Sequence, residues 1–365
     1  MNALREQYLA LEQFTYLNSC SSGLMSKDLL AFRRNLDEEY QLQGSNFRAG
    51  VYDKIKEIKS VAASIFGGHP ERTALIPSCS HGINMVLDAL ANGQKVLHLP
   101  GDYPSIVWPF TSRNFVCTTL GTKGPEAYTL ETLSAAIESQ RIEILAVSAV
   151  QYSNGEIIPP ATFRVLKDRF PGLLIIVDAT QFLGIAPFHF HESGIDVFVA
   201  SAFKWLCAGY GNGVLFLSEQ MEQLLDSQLR GYNTYKQPRQ EGTPTLGEYF
   251  EPGHQDLLAF QSLCFQIEQH QAIGFDNIQA QIRKVKTYAR EMIATETPYA
   301  IITSEDPGVA SGILSVDAPP PLVKQLNAQQ VVCSYNRGLR LGIHFYNNEE
   351  DIDRLVGVMR AVTGN

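Results

Sequence analysis

The chain has 365 residues, 45% of them apolar and 18% charged, with a net charge of −9. That is apolar material for about two packed domains, and too little charge for a disordered or coiled-coil chain. No Lys/Arg-rich run offers a nucleic-acid face, and the longest apolar runs, such as 173–177, fall far short of the ~18 residues that span a bilayer.

The opening MNALREQYLALEQF carries Arg5, Glu6 and Glu12 where a signal peptide needs an unbroken apolar stretch, so it does not read as one. Residues 73–77 (TALIP) predict a strand. Ile83, Val86, Leu87 and Leu90 then recur at i, i+3, i+4 and i+7, an amphipathic helix. Strand-like runs follow at 96–100, 115–120, 144–150, 173–177, 197–201 and 214–218, separated in places by helical patterns such as 130–139 and 163–170. Continuous apolar strands linked by helices predict a mostly parallel sheet covered on both faces. The last two runs are joined by the short GYGNG turn at 209–213, close enough for an antiparallel excursion. Residues 231–256, rich in Gly, Pro, Gln and Thr, read as a loop or hinge. A long helical region over 257–296 comes next, then short strands at 312–316, 331–335 and 339–344. Ile352, Leu355, Val356, Met359 and Val362 form the stripe of a terminal helix, with Asn347 and Glu350 spaced as a capping pair at its start. The pattern is a large α/β domain to about residue 254 and a small α+β domain after it.

Four strand ends carry chemistry. Asp178 closes LLIIVD, at the carboxyl end of a buried strand where open α/β sheets bind ligands; it could equally cap the next turn. Gln181 lies three residues on. Lys204, between Phe203 and Trp205 and before a glycine turn, is either a desolvated nucleophile or a lysine reaching out to water. PSCSHGIN at 77–84 places Ser80 and His81 at a helix start, where free N–H groups favour phosphate, or simple serine capping. GDYPS at 101–105 adds Tyr103. Pyridoxal phosphate needs this joint set: an amine for its aldehyde, a carboxylate for its ring nitrogen, and a helix N-terminus for its phosphate.

These segments resemble the class V aminotransferases, the branch of fold-type I pyridoxal-phosphate enzymes that includes cysteine desulfurases, selenocysteine lyases and the isopenicillin N epimerase-like group. VDATQFLG is similar to the family's V-D-x-x-Q element, which implies Asp178 beside the pyridine nitrogen and Gln181 near the ring hydroxyl. SAFKWLCAGYGNG is similar to the S-x-x-K segment, implying Lys204 as the lysine joined to the cofactor aldehyde and Ser201 as a phosphate ligand. SCSHGIN resembles the phosphate turn T-x-G-I-N (Ser80, His81), and GDYPS the D-[YF]-P-S variant with Tyr103 over the ring. GLRLGIHFYNNEEDIDRL resembles the C-terminal segment in which Arg340 matches the clamp for the substrate carboxylate, a bidentate task that suits arginine. The family's ring-hydroxyl contact falls near Gln151 or Tyr152, and both stay open.

The resemblance implies a segment 1–16 packed on the small domain, a cofactor domain at 17–254 with a mostly parallel seven-stranded sheet, and a small domain at 255–365. It implies a cytoplasmic homodimer with shared active sites, acting on small amino acids and 2-oxo acids. Three departures stand out. Phe203 replaces a frequent histidine. FEPGH puts His254 where a threonine reaches the neighbouring subunit's phosphate. The desulfurase loop with its cysteine is absent, since 331–336 runs almost directly into Arg337 and Arg340. The six cysteines form no C-x-x-C pair and read as reduced packing thiols, Cys207 and Cys333 included. His189 and His191 lack a second ligand cluster, so no metal is expected. The expected reaction is transamination, with elimination or epimerisation as the rival within the family and a non-catalytic binding protein on the same fold as the distant one. Side-chain specificity is expected in loops 16–25, 43–51 and 231–250.

Overall fold

A computed structural model describes residues 2–226, 228–234, 245–304 and 309–363. Part of one expected specificity loop, 235–244, lies outside the described residues.

The main sheet has seven strands in the order Thr73–Leu75, Gly213–Leu217, Val197–Ser201, Leu174–Asp178, Ile144–Ser148, Lys95–His98 and Val116–Thr119. Gly213–Leu217 runs antiparallel to both its neighbours, and the remaining pairings are parallel. The antiparallel excursion expected around GYGNG is therefore present. Alternation explains why these strands read as unbroken apolar runs. Ile144 and Ala146 enter the core under the helix Cys79–Ala89, while Leu145 and Val147 enter the core on the opposite face. Both faces of the central strands are covered, so their interior positions are apolar.

A second, four-stranded sheet orders Ser334–Tyr335, Leu339–Gly342, Ile313–Asp317 and Ala300–Ile301, all antiparallel. Its core holds Leu314, Val316, Leu339 and Leu341 against Ile352, Leu355 and Met359 of the terminal helix Glu349–Thr363. Thr15–Tyr16 pairs in parallel with Val331–Val332, and Leu17 joins that core.

The helical region expected over 257–296 is present as two helices, Leu257–Ile273 and Phe275–Glu296, joined at Gly274. Two local expectations are corrected. The run 331–335 is not one strand: Val331–Val332 and Ser334–Tyr335 pair in different sheets on either side of Cys333. The terminal helix is capped by Asn348, not Asn347. Asp351 N donates to Asn348 Oδ1 and Asn348 N donates to Asp351 Oδ2, a reciprocal pair one residue later than expected. Asn347 turns inward instead, its Nδ2 donating to Tyr16 O and its Oδ1 accepting from His344 N.

Candidate active site

The carboxyl ends of the parallel strands all open on one side of the main sheet, and the chain leaves each of them through a loop. Ser78 caps the helix Cys79–Ala89, its Oγ accepting from His81 N at 3.4 Å. Tyr103 precedes the helix Pro104–Thr111. Ser148, Asp178 and Ser201 are the last residues of their strands. These ends surround a cleft of about 530 Å³, counting the space open to solvent. It is lined by, among others, Ser80, Tyr103, Tyr152, Asp178, Ser201 and Lys204.

Lys204 is buried at 9% exposure. Burial pushes its amine below the ordinary lysine range, and the Asp178 carboxylate acts in the opposite sense. Its Nζ lies 5.7 Å from the centroid of Tyr103 and 5.6 Å from that of Phe203, so two aromatic faces flank the amine. Phe203 in turn stacks on Tyr210 at 5.0 Å. Behind the lysine, Gly23 N donates to Phe203 O at 2.9 Å. A Cβ on Gly23 would stand 2.0 Å from Lys204 O, so only glycine lets the 16–25 loop close on this turn. Asp178 Oδ1 accepts from Thr180 N at 2.9 Å, and Thr180 Oγ1 accepts from Ser201 N at 3.2 Å. Ser201 Oγ accepts from Cys79 N at 2.8 Å, tying the lysine's strand to the helix start. Ser80 Oγ meets Ser105 Oγ at 2.8 Å.

Arg340 is buried and held by three bonds: to Ser334 Oγ, to Tyr152 O at 2.8 Å and to Ser21 Oγ at 2.8 Å. The Tyr152 ring meets Tyr103 edge-on at 5.0 Å. Thus Ser80, Tyr103, Tyr152, Asp178, Gln181, Ser201 and Lys204 are brought to one cleft, with Arg340 bonded to its wall. Gln181 faces the cleft with its amide engaged. Its Nε2 donates to Cys20 O and its Oε1 accepts from Trp205 Nε1, leaving one N–H. Of the pair left open, Tyr152 lines the cleft. Gln151 is buried, and its Oε1 has no partner among the described residues. His81 is exposed, its Nδ1 2.9 Å from Ser78 Oγ, and is not part of the lining. His254 stands apart within its own chain, stacked on Tyr232 at 5.6 Å with Arg48 Nη2 2.7 Å away.

A sequence model described as Aminotransferase class-V matches residues 30–355. This chain belongs to the class V aminotransferase family. It is 22% identical to "Uncharacterized aminotransferase YcbU" of Bacillus subtilis, across 100% of this chain and 99% of that one. It is 25% identical to isopenicillin N epimerase of Streptomyces clavuligerus over 83% of each chain. The solved apo cysteine desulfurase of Thermococcus onnurineus NA1 shares the fold, with a TM-score of 0.88 at 18% identity, covering 100% of this chain and 98% of that chain.

The class V family uses pyridoxal phosphate, and the donor set here fits it. A desolvated amine, a buried carboxylate and a hydroxyl-lined helix start converge on one cleft beside an aromatic ring. Sequence reading passed over Ser105, Ser148 and Thr180, all in the lining. Ser105 and Thr180 sit inside motifs already singled out, so their positions were the available signal; Ser148 had none.

The histidines weighed for a metal lie elsewhere. His191 N and Nε2 face Gly67 O and Gly68 O, and His189 packs on Gly67. Among the described residues no group of three or more His, Cys, Asp or Glu is placed to hold a metal ion, and no helix is long and apolar enough to cross a membrane.

Proposed function

We propose that this protein is a pyridoxal-phosphate-dependent aminotransferase acting at the α-carbon of a small amino acid. The observation that carries the reading is Lys204: a buried amine, depressed below its ordinary range, facing the same cleft as Asp178. When bound, the cofactor supplies an aldehyde for the substrate amine and a ring that accepts electrons from the α-carbon. The chain's residues do the rest. Lys204 would hold the aldehyde before substrate arrives and then move the α-proton, a task helped by burial that lowers the amine below its ordinary range. Asp178 keeps a proton on the ring nitrogen. Ser80, Ser105 and Ser201 bind the phosphate at the helix start. Tyr103 covers the ring and excludes water. Arg340 binds the substrate carboxylate and so orients the bond that breaks.

What favours amino-group transfer over thiol-dependent desulfuration is the state of the cysteines. Burial pushes Cys207 and Cys333 up to about 12, so neither is a ready thiolate. The same reading takes the protein as a cytoplasmic homodimer in which His254 completes the neighbouring subunit's phosphate site. Light scattering that found an active monomer would remove that shared site.

The test is a panel of amino acids with and without a 2-oxo acid acceptor. Transamination predicts equimolar exchange of the amino group and no turnover without acceptor. Acceptor-independent release of ammonia, or racemised substrate alone, would move the assignment to the lyase or epimerase reading.

A further inference from the structure

We propose that Arg337 is a second substrate-binding cation, which selects an amino acid or 2-oxo acid carrying a carboxylate in its side chain. The inference rests on the aminotransferase reading and names its substrate class.

Arg337 sits at the tip of a tight turn. Ser334 pairs with Arg340 and Tyr335 with Leu339, so the two arginines leave the same hairpin three residues apart. Its φ is +60°, a conformation that glycine or asparagine takes more readily. The guanidinium lies against Gly101, where a Cβ would stand 2.9 Å from Nη1 and 3.2 Å from Nη2. Gly101 has φ +68° and no side chain, and the arginine occupies the space one would fill.

Gly101 is two residues before Tyr103, which lines the cleft. The Tyr103 ring meets Tyr152, and Tyr152 O accepts from Arg340. One hairpin therefore carries Arg340, bonded to Tyr152 O, and Arg337, beside Gly101 two residues before Tyr103. Arg340 is buried on the inner side, with three of its five N–H groups bonded and two left for a carboxylate. Arg337 is exposed on the outer side and, among the described residues, has no hydrogen bond or ion pair. A planar fork beside the Gly101–Tyr103 loop with its donors unused matches a carboxylate in bidentate geometry. A substrate with one carboxylate uses Arg340 alone. The second cation has a use when the substrate brings a second anion.

The test is calorimetric titration of the cofactor-loaded protein with glutamate, aspartate and 2-aminoadipate, each against an uncharged isostere (glutamine, asparagine, norleucine). We expect at least one acid to bind roughly tenfold more tightly than its isostere, as a charge-assisted pair at a partly exposed site gives. Arg337→Asn suits the positive φ, so it is expected to fold, with an unchanged melting temperature as the check. It should reduce that preference to about twofold or less, while Arg337→Lys should retain part of it. Equal affinity for acid and isostere in the wild type, or a preference that survives Arg337→Asn, overturns the proposal while leaving the aminotransferase reading in place. Binding of no amino acid at all overturns both.

Discussion

Asp102 holds Ser148 by both its backbone and its side chain. Asp102 Oδ2 accepts from Ser148 N at 2.9 Å, and Oδ1 accepts from Ser148 Oγ at 2.5 Å. Oδ1 also accepts from Tyr103 N at 2.7 Å. One buried carboxylate thus ties the end of the strand Ile144–Ser148 to the backbone of the aromatic that covers Lys204. Parallel strands leave such ends unpaired, and here a side chain closes the gap.

Burial pushes this carboxyl from 3.8 up to about 6, against the pull of its three hydrogen bonds. The native state therefore keeps the proton longer than the unfolded chain. The stability this contributes is complete below about pH 4, is lost as pH rises through about 6, and is level above. Chemical denaturation of wild type and Asp102→Asn across pH 4–8 checks it. The wild type should lose stability relative to the variant between about pH 4 and 6, with a constant difference above pH 7. A difference flat throughout would refute the assignment.

Lys59 and Glu251 form a second buried pair, at 3.1 Å with both side chains under 7% exposed. Glu251 Oε1 also accepts from Leu75 N, fixing the edge strand of the main sheet. Removing the acid strands the ammonium in the core, and breaking such a pair costs about 3–5 kcal/mol. Urea denaturation of Glu251→Ala should show that loss, and Lys59→Met with Glu251→Leu should recover much of it. A single variant within about 0.5 kcal/mol of wild type would contradict the account.

The thiols give a chemical test. Cys207 and Cys333 are buried and their thiols pushed up to about 12, and the turn before Arg340 contains no cysteine. Cysteine supplied with a reductant should release sulfide slowly, at a rate indifferent to Cys207→Ser and Cys333→Ser. Rapid release abolished by either substitution would establish the thiolate chemistry that the proposal denies.

The strands were legible because two-sided burial makes each one a continuous apolar run, and Asp178, Ser201 and Lys204 sit at or just past the ends of such runs. Loop-to-loop contacts were not. Nothing in local sequence joins Asp102 to Ser148, or Arg337 to Gly101, since each pair meets only when separate strand ends come together. The split at Cys333 was hidden for the same reason: both halves are strand-like, and only their partners, Thr15–Tyr16 and Leu339–Gly342, differ. Asn347 was read as the cap, but its side chain bonds Tyr16 O and the neighbouring Asn348, with the same side chain, caps the helix instead. His254 shows another limit. A residue read as serving a neighbouring subunit has no signature within its own chain beyond Arg48 and Tyr232.

The central claim is that Lys204 carries the cofactor. The direct measurement is borohydride reduction of the purified protein, followed by peptide mapping. The account predicts one pyridoxyl-modified lysine, Lys204, and a Lys204→Ala protein that binds the cofactor without covalent fixation. Modification of any other lysine, or undiminished fixation in Lys204→Ala, would contradict it.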